Sequence, residues 1–290
     1  MANLEQMSVE EKRNYFGDKY LGQARFIGKS HDSVKLARDL MKNKSKAPND
    51  MFIIPGIWAH EKAMDYKLHI KTFIFCPDVV FSEEAEETID DFINMAEESY
   101  IISEKVLNKI SNKNNPDGII AICQLPDYSL QDIELGENTL VVVLDGIEYA
   151  GNMGTILRSI DGVGADGVII CNRRAKVTHP KVIKGSRLSF NIPIVECETE
   201  EAIDWLKANE FDIFLADTRA DKEYYEEEYR GNAAIVAGNE RYGISEEWYQ
   251  HQCKLISIPM NGDNDSLNVA IATTIILYEA GLKQQGKIKR

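Results

Sequence analysis

Residues 233–245 read AAIVAGNERYGIS and residues 255–278 read LISIPMNGDNDSLNVAIATTIILY, and the reading of this stretch decides the fold. Ala233–Ala237 is a continuous apolar run that breaks at Gly238, Asn239 and Glu240. A second run, 255–258, is broken by Pro259 and by the turn residues Asn261, Gly262 and Asp263. Residues 267–280 then carry no charge until Glu279, which predicts a long helix of small and apolar residues starting at Ser266. Short continuous apolar runs that end in turns predict strands buried on both faces of a parallel α/β sheet. Ligands of such sheets bind beyond the carboxyl ends of the strands. Glu240, Met260, Ser266 and Asn268 fall there.

Outward from this stretch the same rhythm continues upstream. Further strands are predicted at 140–144, 167–171, 192–195 and 211–216, with helices at 152–161, 180–187, 200–207 and 246–252. The polar segment PDYSLQDIELGEN (126–138) reads as a linker. Before it, a smaller α/β pattern has helices at 34–46, 57–65, 83–96 and 104–110, and strands at 51–54, 71–75 and 118–123. This division gives an N-terminal extension (1–33), a first domain (34–128), a linker (129–139) and a second domain (140–290), each domain of viable size. In the extension, Ser8 followed by Glu11 has capping-box spacing and predicts a short helix.

Composition bounds the function. The chain has 290 residues, 44% of them apolar, which is ample for a buried core and excludes global disorder. No opening segment has the basic start, apolar core and small-residue cleavage site of a signal peptide. The apolar stretch 267–282 is too short to cross a bilayer. Five scattered cysteines without a C-x-x-C pair read as reduced thiols of a cytoplasmic protein, and no metal site is expected. The net charge of −14 argues against a protein that binds nucleic acid by overall electrostatics. Charge is nevertheless segregated: residues 78–98 hold nine Asp/Glu and no Lys/Arg, whereas residues 171–187 hold six Lys/Arg and no Asp/Glu. Because salt screens charges beyond ~10 Å, an acidic chain can still present one basic face to phosphates.

Three segments resemble motifs of one family. GNERYGIS (238–245) is similar to the G-x-E-x-x-G-[ILM] motif of the TrmH-type (SpoU) SPOUT RNA 2′-O-ribose methyltransferases. IPMNGDNDSLNVAIA (258–272) is similar to that family's I-P-M-x-G-x-x-x-S-L-N-V-[AS]-x-A, and NMGTILRSIDGVG (152–164) to its N-x-G-x-x-x-R-[ST]-A-x-x-x-G, with Ile160 in place of a small residue. The three occur in order and span roughly residues 140–282. Upstream, FIIPGIWAHEKAMDYKLHIKTFIF (52–75) and NPDGIIAICQLP (115–126) resemble the L30e-like RNA-binding domain of many such enzymes. The resemblance implies a mostly parallel α/β sheet closed by a deep trefoil knot, which no periodicity could show because knots are nearly absent from proteins. It also implies an S-adenosylmethionine cofactor, a homodimer, and methylation of a ribose 2′-OH in RNA. Ribosomal RNA is favoured over tRNA, because the extra domain resembles those of rRNA-directed members.

The residues that the resemblance singles out suit that chemistry. Gly151 and Gly154 let a backbone approach a ligand, and Arg158, with its planar permanent charge, suits a phosphate or the 2′-OH. The alternative for Arg158 is a surface residue paired with Asp161 or Glu148. Asn152, Glu240, Ser266 and Asn268 match catalytic positions. Glu240 is expected to orient rather than to act as a base, and Ser266 doubles as a candidate N-cap of the last helix. Gly238, Ile258, Met260 and Leu267 match cofactor-contacting positions. One departure lies at 184–193, KGSRLSFNIP, where the family's glycine after Ser186 is missing. Two rivals stand beside the enzyme: a non-catalytic RNA- or cofactor-binding protein on the same scaffold, and a nucleotide-dependent oxidoreductase. The second lacks a G-x-G-x-x-G fingerprint.

Overall fold

The computed structural model describes residues 4–111, 117–188 and 190–288, with the backbone alone at Trp58 and His60. The chain divides into two compact units, one of residues up to Pro126 together with Thr178–Ile183, the other of Asp127–Val177 with Lys184 onward.

The first unit contains α1 (Val9–Lys19), β1 (Ala24–Phe26), α2 (Asp32–Met41), β2 (Met51–Pro55), α3 (His60–Asp65), β3 (Ile70–Phe75), α4 (Glu83–Met95), β4 (Glu98–Ile101), α5 (Glu104–Ile110) and β5 (Ile119–Gln124). Its sheet runs β1-β4-β3-β5-β2. The first three strands are parallel, and β5 and β2 join antiparallel. Ser8 and Glu11 form the expected capping box, satisfying two N–H groups at the start of α1. Residues 9–26 belong to this fold. Phe16 and Tyr20 are buried against Phe75, and β1 pairs with β4. Strands β1 and β4 escaped sequence reading, being three and four residues long. The helix expected over 34–46 ends at Met41, and Asn43 follows with φ 46°. That expected over 57–65 is a 3₁₀ turn, Ile57–Ala59, leading into α3.

The second unit contains β6 (Leu140–Asp145), α6 (Ala150–Val163), β7 (Gly167–Cys171), the last residues of α7 (Pro180–Ser186), whose residues up to Ile183 group with the first unit, β8 (Ile194–Glu196), α8 (Thr199–Ala208), β9 (Asp212–Ala216), β10 (Ala233–Ala237), α9 (Glu246–Tyr249), β11 (Lys254–Ile256) and α10 (Val269–Gln284). All five pairings in its six-stranded sheet, ordered β11-β9-β10-β6-β7-β8, are parallel. Strands β6, β7 and β10 are buried at every position. Each of their large apolar side chains stabilises the fold by roughly 1.5–3 kcal/mol.

Several boundaries differ from the sequence reading. Strand β11 is an edge strand with Lys254 and Leu255 exposed, not one buried on both faces. Strand β8 begins at Ile194, just past Pro193, rather than at 192. Helix α9 has one turn only. The last helix starts at Val269: its N-cap is Asn268, whose side chain accepts from Ala270 N–H, and Ser266 has no capping role. In the 184–193 segment, Arg187 and Leu188 take positive φ values of 57° and 59° where the family motif has glycine nearby. Such conformations cost L-residues of order 1–3 kcal/mol. Ser189 lies outside the described residues.

Candidate functional site

Strands β6, β9 and β10 lie side by side and in register, so their carboxyl ends deliver three loops to one edge of the sheet. A cavity of about 680 Å³ opens there, bordered by residues 216–219, 237–244, 246, 249, 256–258, 260, 266–269, 272, 273 and 276. Gly238 forms its tightest point. A Cβ on this residue would lie 2.4 Å from the Gly243 carbonyl carbon and 2.4 Å from Ile244 N, so no side chain is tolerated.

The segment beyond Gly238 folds back on itself. Asn239 and Gly243 exchange two backbone hydrogen bonds of 2.9 Å. Within this loop the Asn239 side chain accepts from the N–H groups of Arg241 and Tyr242, and its amide donates to Gly146 O at 2.7 Å. Glu240 is turned toward α6. Its carboxylate accepts from Glu148 N–H (2.9 Å), Tyr149 N–H (3.1 Å) and the Asn152 amide (2.8 Å). Two of these donors flank the start of α6, where the helix dipole also favours a negative charge. Burial works against the charged form of Glu240, yet these hydrogen bonds outweigh it and hold the carboxyl below its ordinary range. Asn268 completes the chain by donating to the Asn152 Oδ1 at 3.1 Å. Three residues distant in sequence thus share one polar network.

Around the cavity, Ile258 and Met260 are half-buried, while Ser266 and Leu267 are exposed. Ala272 and Ile276 on α10 add apolar wall. Three residues that sequence reading missed close the far rim. Asp217 takes a two-pronged ion pair from Arg219 and a hydrogen bond from the Tyr249 hydroxyl. The Arg219 guanidinium holds the Asp217 carboxyl at about 2, and burial together with Asp217 pushes the Tyr249 hydroxyl up to about 12. The signal for Asp217 was available, because it directly follows a predicted strand and so sits where ligands bind.

The expected site residues therefore separate into two groups. Gly238, Glu240, Ile258, Met260, Ser266, Leu267 and Asn268 border the cavity, and Asn152 is bonded to it through Glu240 and Asn268. Arg158 stands apart. It is exposed on α6, does not border the cavity, and makes no hydrogen bond or ion pair among the described residues, so the pairing with Asp161 or Glu148 is not formed. Also among the described residues, no group of three or more His, Cys, Asp or Glu could hold a metal ion, and no helix is long and apolar enough to cross a membrane.

The cavity suits a nucleoside with an aliphatic tail. Its volume lies within the ~300–1,000 Å³ of small-molecule sites. Ile258, Met260 and Leu267 offer apolar contact at its wall, beside the loop that Gly238 lets pack closely against Gly243 and Ile244.

Comparison with known proteins agrees. Residues 139–278 match the SpoU rRNA Methylase family, and residues 31–121 match the MRM3-like substrate binding domain. A 23S rRNA (uridine(2479)-2′-O)-methyltransferase of Streptomyces viridochromogenes is 28% identical over 250 residues, covering 83% of this chain and 86% of that one. A Staphylococcus aureus protein assigned to the TrmH family of tRNA/rRNA methyltransferases is 30% identical over 212 residues, 69% of this chain and 85% of the relative. Among solved structures, an AdoMet-bound rRNA methyltransferase from Sinorhizobium meliloti superimposes with a TM-score of 0.79 at 27% identity, covering 89% of this chain and 98% of that chain. By these matches, and with most of the motif residues at one cavity, this chain belongs to the SpoU (TrmH-type) RNA methylase family.

Proposed function

We propose that the protein is an S-adenosylmethionine-dependent methyltransferase that methylates a ribose 2′-OH in ribosomal RNA, acting as a cytoplasmic homodimer. The observation that carries this reading is the cavity bounded by Gly238, Met260 and Leu267 and tied to Asn152 through Glu240 and Asn268. The rRNA preference rests on the named substrate of the Streptomyces relative and on the substrate-binding match of the first unit. The resemblance further implies the trefoil knot, with the chain from β10 to α10 as the knotted part.

When bound, the cofactor supplies an electrophilic methyl group on sulfur. The protein's own task is alignment of the 2′-oxygen with that carbon, a contribution that can reach several kcal/mol through proximity. Glu240 serves this by fixing the start of α6 and the orientation of Asn152. It is a poor base, since its oxygens already accept three hydrogen bonds and its pKa is lowered. Arg158 is assigned to the RNA phosphate or developing alkoxide, because a guanidinium does not give up its proton. Its place outside its own chain's cavity, and the half-exposed Ile271 and Tyr278 on α10, favour a dimer in which a second copy supplies this arginine.

The test uses two variants, each expected to be inactive alone. Arg158→Ala binds S-adenosylmethionine by calorimetry but does not label rRNA; Leu267→Arg no longer binds the cofactor. Mixing them under conditions of subunit exchange restores labelling if the arginine acts in trans. Wild-type protein that binds the cofactor yet leaves rRNA unlabelled at every salt concentration would return the reading to a non-catalytic binding protein.

A further inference from the structure

We propose that Tyr242, held beside Arg241 at the cavity mouth, is a stacking platform for an unpaired base of the RNA substrate; this rests on the methyltransferase reading above. Three observations converge. The Tyr242 side chain is 74% exposed, and Tyr149, whose N–H binds Glu240 from the other side, is 62% exposed. Neither ring is needed to fill the core. Both rings are therefore free to meet a ligand from solution.

The second observation is rigidity. Tyr242 sits in the loop closed by the paired Asn239–Gly243 bonds, and its own N–H is held at 3.0 Å by Asn239 Oδ1. The ring is thus presented by a backbone fixed in advance, so a base landing on it orders little further chain. Third, the Arg241 guanidinium carbon lies 5.4 Å from the Tyr242 ring centroid. The guanidinium lies over the phenol ring, and arginine planes and aromatic rings are both surfaces on which unstacked bases are gripped.

Charge explains why such a platform is useful here. A chain of net charge −14 gains less than a basic one from phosphate contacts. Base stacking is indifferent to that charge. Tyr242 follows Glu240 by two residues, so a base seated on it lies next to the site where a ribose must be aligned.

The experiment is steady-state methylation of rRNA by the full-length protein, with Tyr242→Ala, Tyr242→Phe and Tyr242→Trp compared across salt concentrations. The expected result is a KM for RNA raised roughly 10- to 100-fold in Tyr242→Ala. Phe and Trp should restore it, the dependence of KM on salt should keep its slope, and S-adenosylmethionine affinity should stay unchanged. An unchanged KM in Tyr242→Ala overturns the proposal. So does a loss of cofactor affinity, which would assign the ring to the adenine, or a shift in sedimentation, which would assign it to a contact between copies. Inactive wild-type protein would count against the methyltransferase reading itself.

Discussion

Between Asn239 and Gly243 the chain is closed by paired backbone bonds, by a side chain that caps two of its own N–H groups, and by a carboxylate anchored at the start of α6. Between 261 and 267 it makes no hydrogen bond among the described residues, and every residue is exposed. Both segments border the same cavity, the second through Ser266 and Leu267, and both carry family motifs. The first is finished by the fold; the second is shaped only at its end, where Asn268 caps α10 and reaches Asn152. A site with one rigid wall and one loosely held wall admits its ligand from the loose side and orders that side on binding. The free energies of local opening differ accordingly along a chain.

The largest effect is expected from breaking the finished wall. Gly238→Ala drives a methyl group into the Gly243–Ile244 backbone at 2.4 Å, contacts that cannot rotate away. Unfolding free energy should fall by about 1–3 kcal/mol, with cofactor binding below detection by calorimetry. A variant that binds normally would show that this wall yields as easily as the other.

Glu240→Gln comes next. Both Glu240 oxygens accept, so an amide must turn a donor toward another donor. A loss of about 1–2 kcal/mol is expected, as for a removed helix cap. The pH dependence follows from the lowered pKa. A carboxyl whose folded value lies below its ordinary 4.5 contributes in full above that pH and loses its contribution as pH falls through the folded value. The stability gap between wild type and variant, measured by denaturant unfolding, should therefore be widest at pH 7 and narrow toward pH 3.

Hydrogen exchange sharpens the contrast directly. Amides of 261–267 should exchange at near-intrinsic rates in the free protein and become about 10-fold or more protected with S-adenosylmethionine, while Arg241 and Tyr242 N–H, already bonded, change little. Equal protection of both segments without ligand would erase the distinction. The smallest effect is expected for Asn268→Ala, which removes one cap and one bridge. About 1 kcal/mol is lost by thermal unfolding, with a several-fold weaker cofactor affinity.

How much was legible beforehand depended on the kind of interaction. The six strands of the second unit were all legible, the central ones because strands buried on both faces leave unbroken apolar runs such as 140–144. Strands β1 and β4 were not: three and four residues long, they hold by pairing with a neighbour rather than by their own pattern. The placement of Ser266 as a helix cap failed for a similar reason. Ser266 and Asn268 are both competent caps, and local propensity cannot choose between neighbours two residues apart.

The sequence by itself determined the alternation of strands and helices, the glycine that the Gly238 turn requires, and the motifs whose order identified the family. These are local properties, written in side-chain period and backbone freedom. Only the tertiary structure decided that Glu240 anchors α6, that Asn152 and Asn268 meet across 116 positions of chain, that Asp217, Arg219 and Tyr249 close the rim, and that Arg158 does not border the cavity of its own chain. The physical reason is that such contacts depend on which strand ends the sheet brings side by side. The β11-β9-β10-β6-β7-β8 order is set by the packing of the whole unit and is encoded in no single segment.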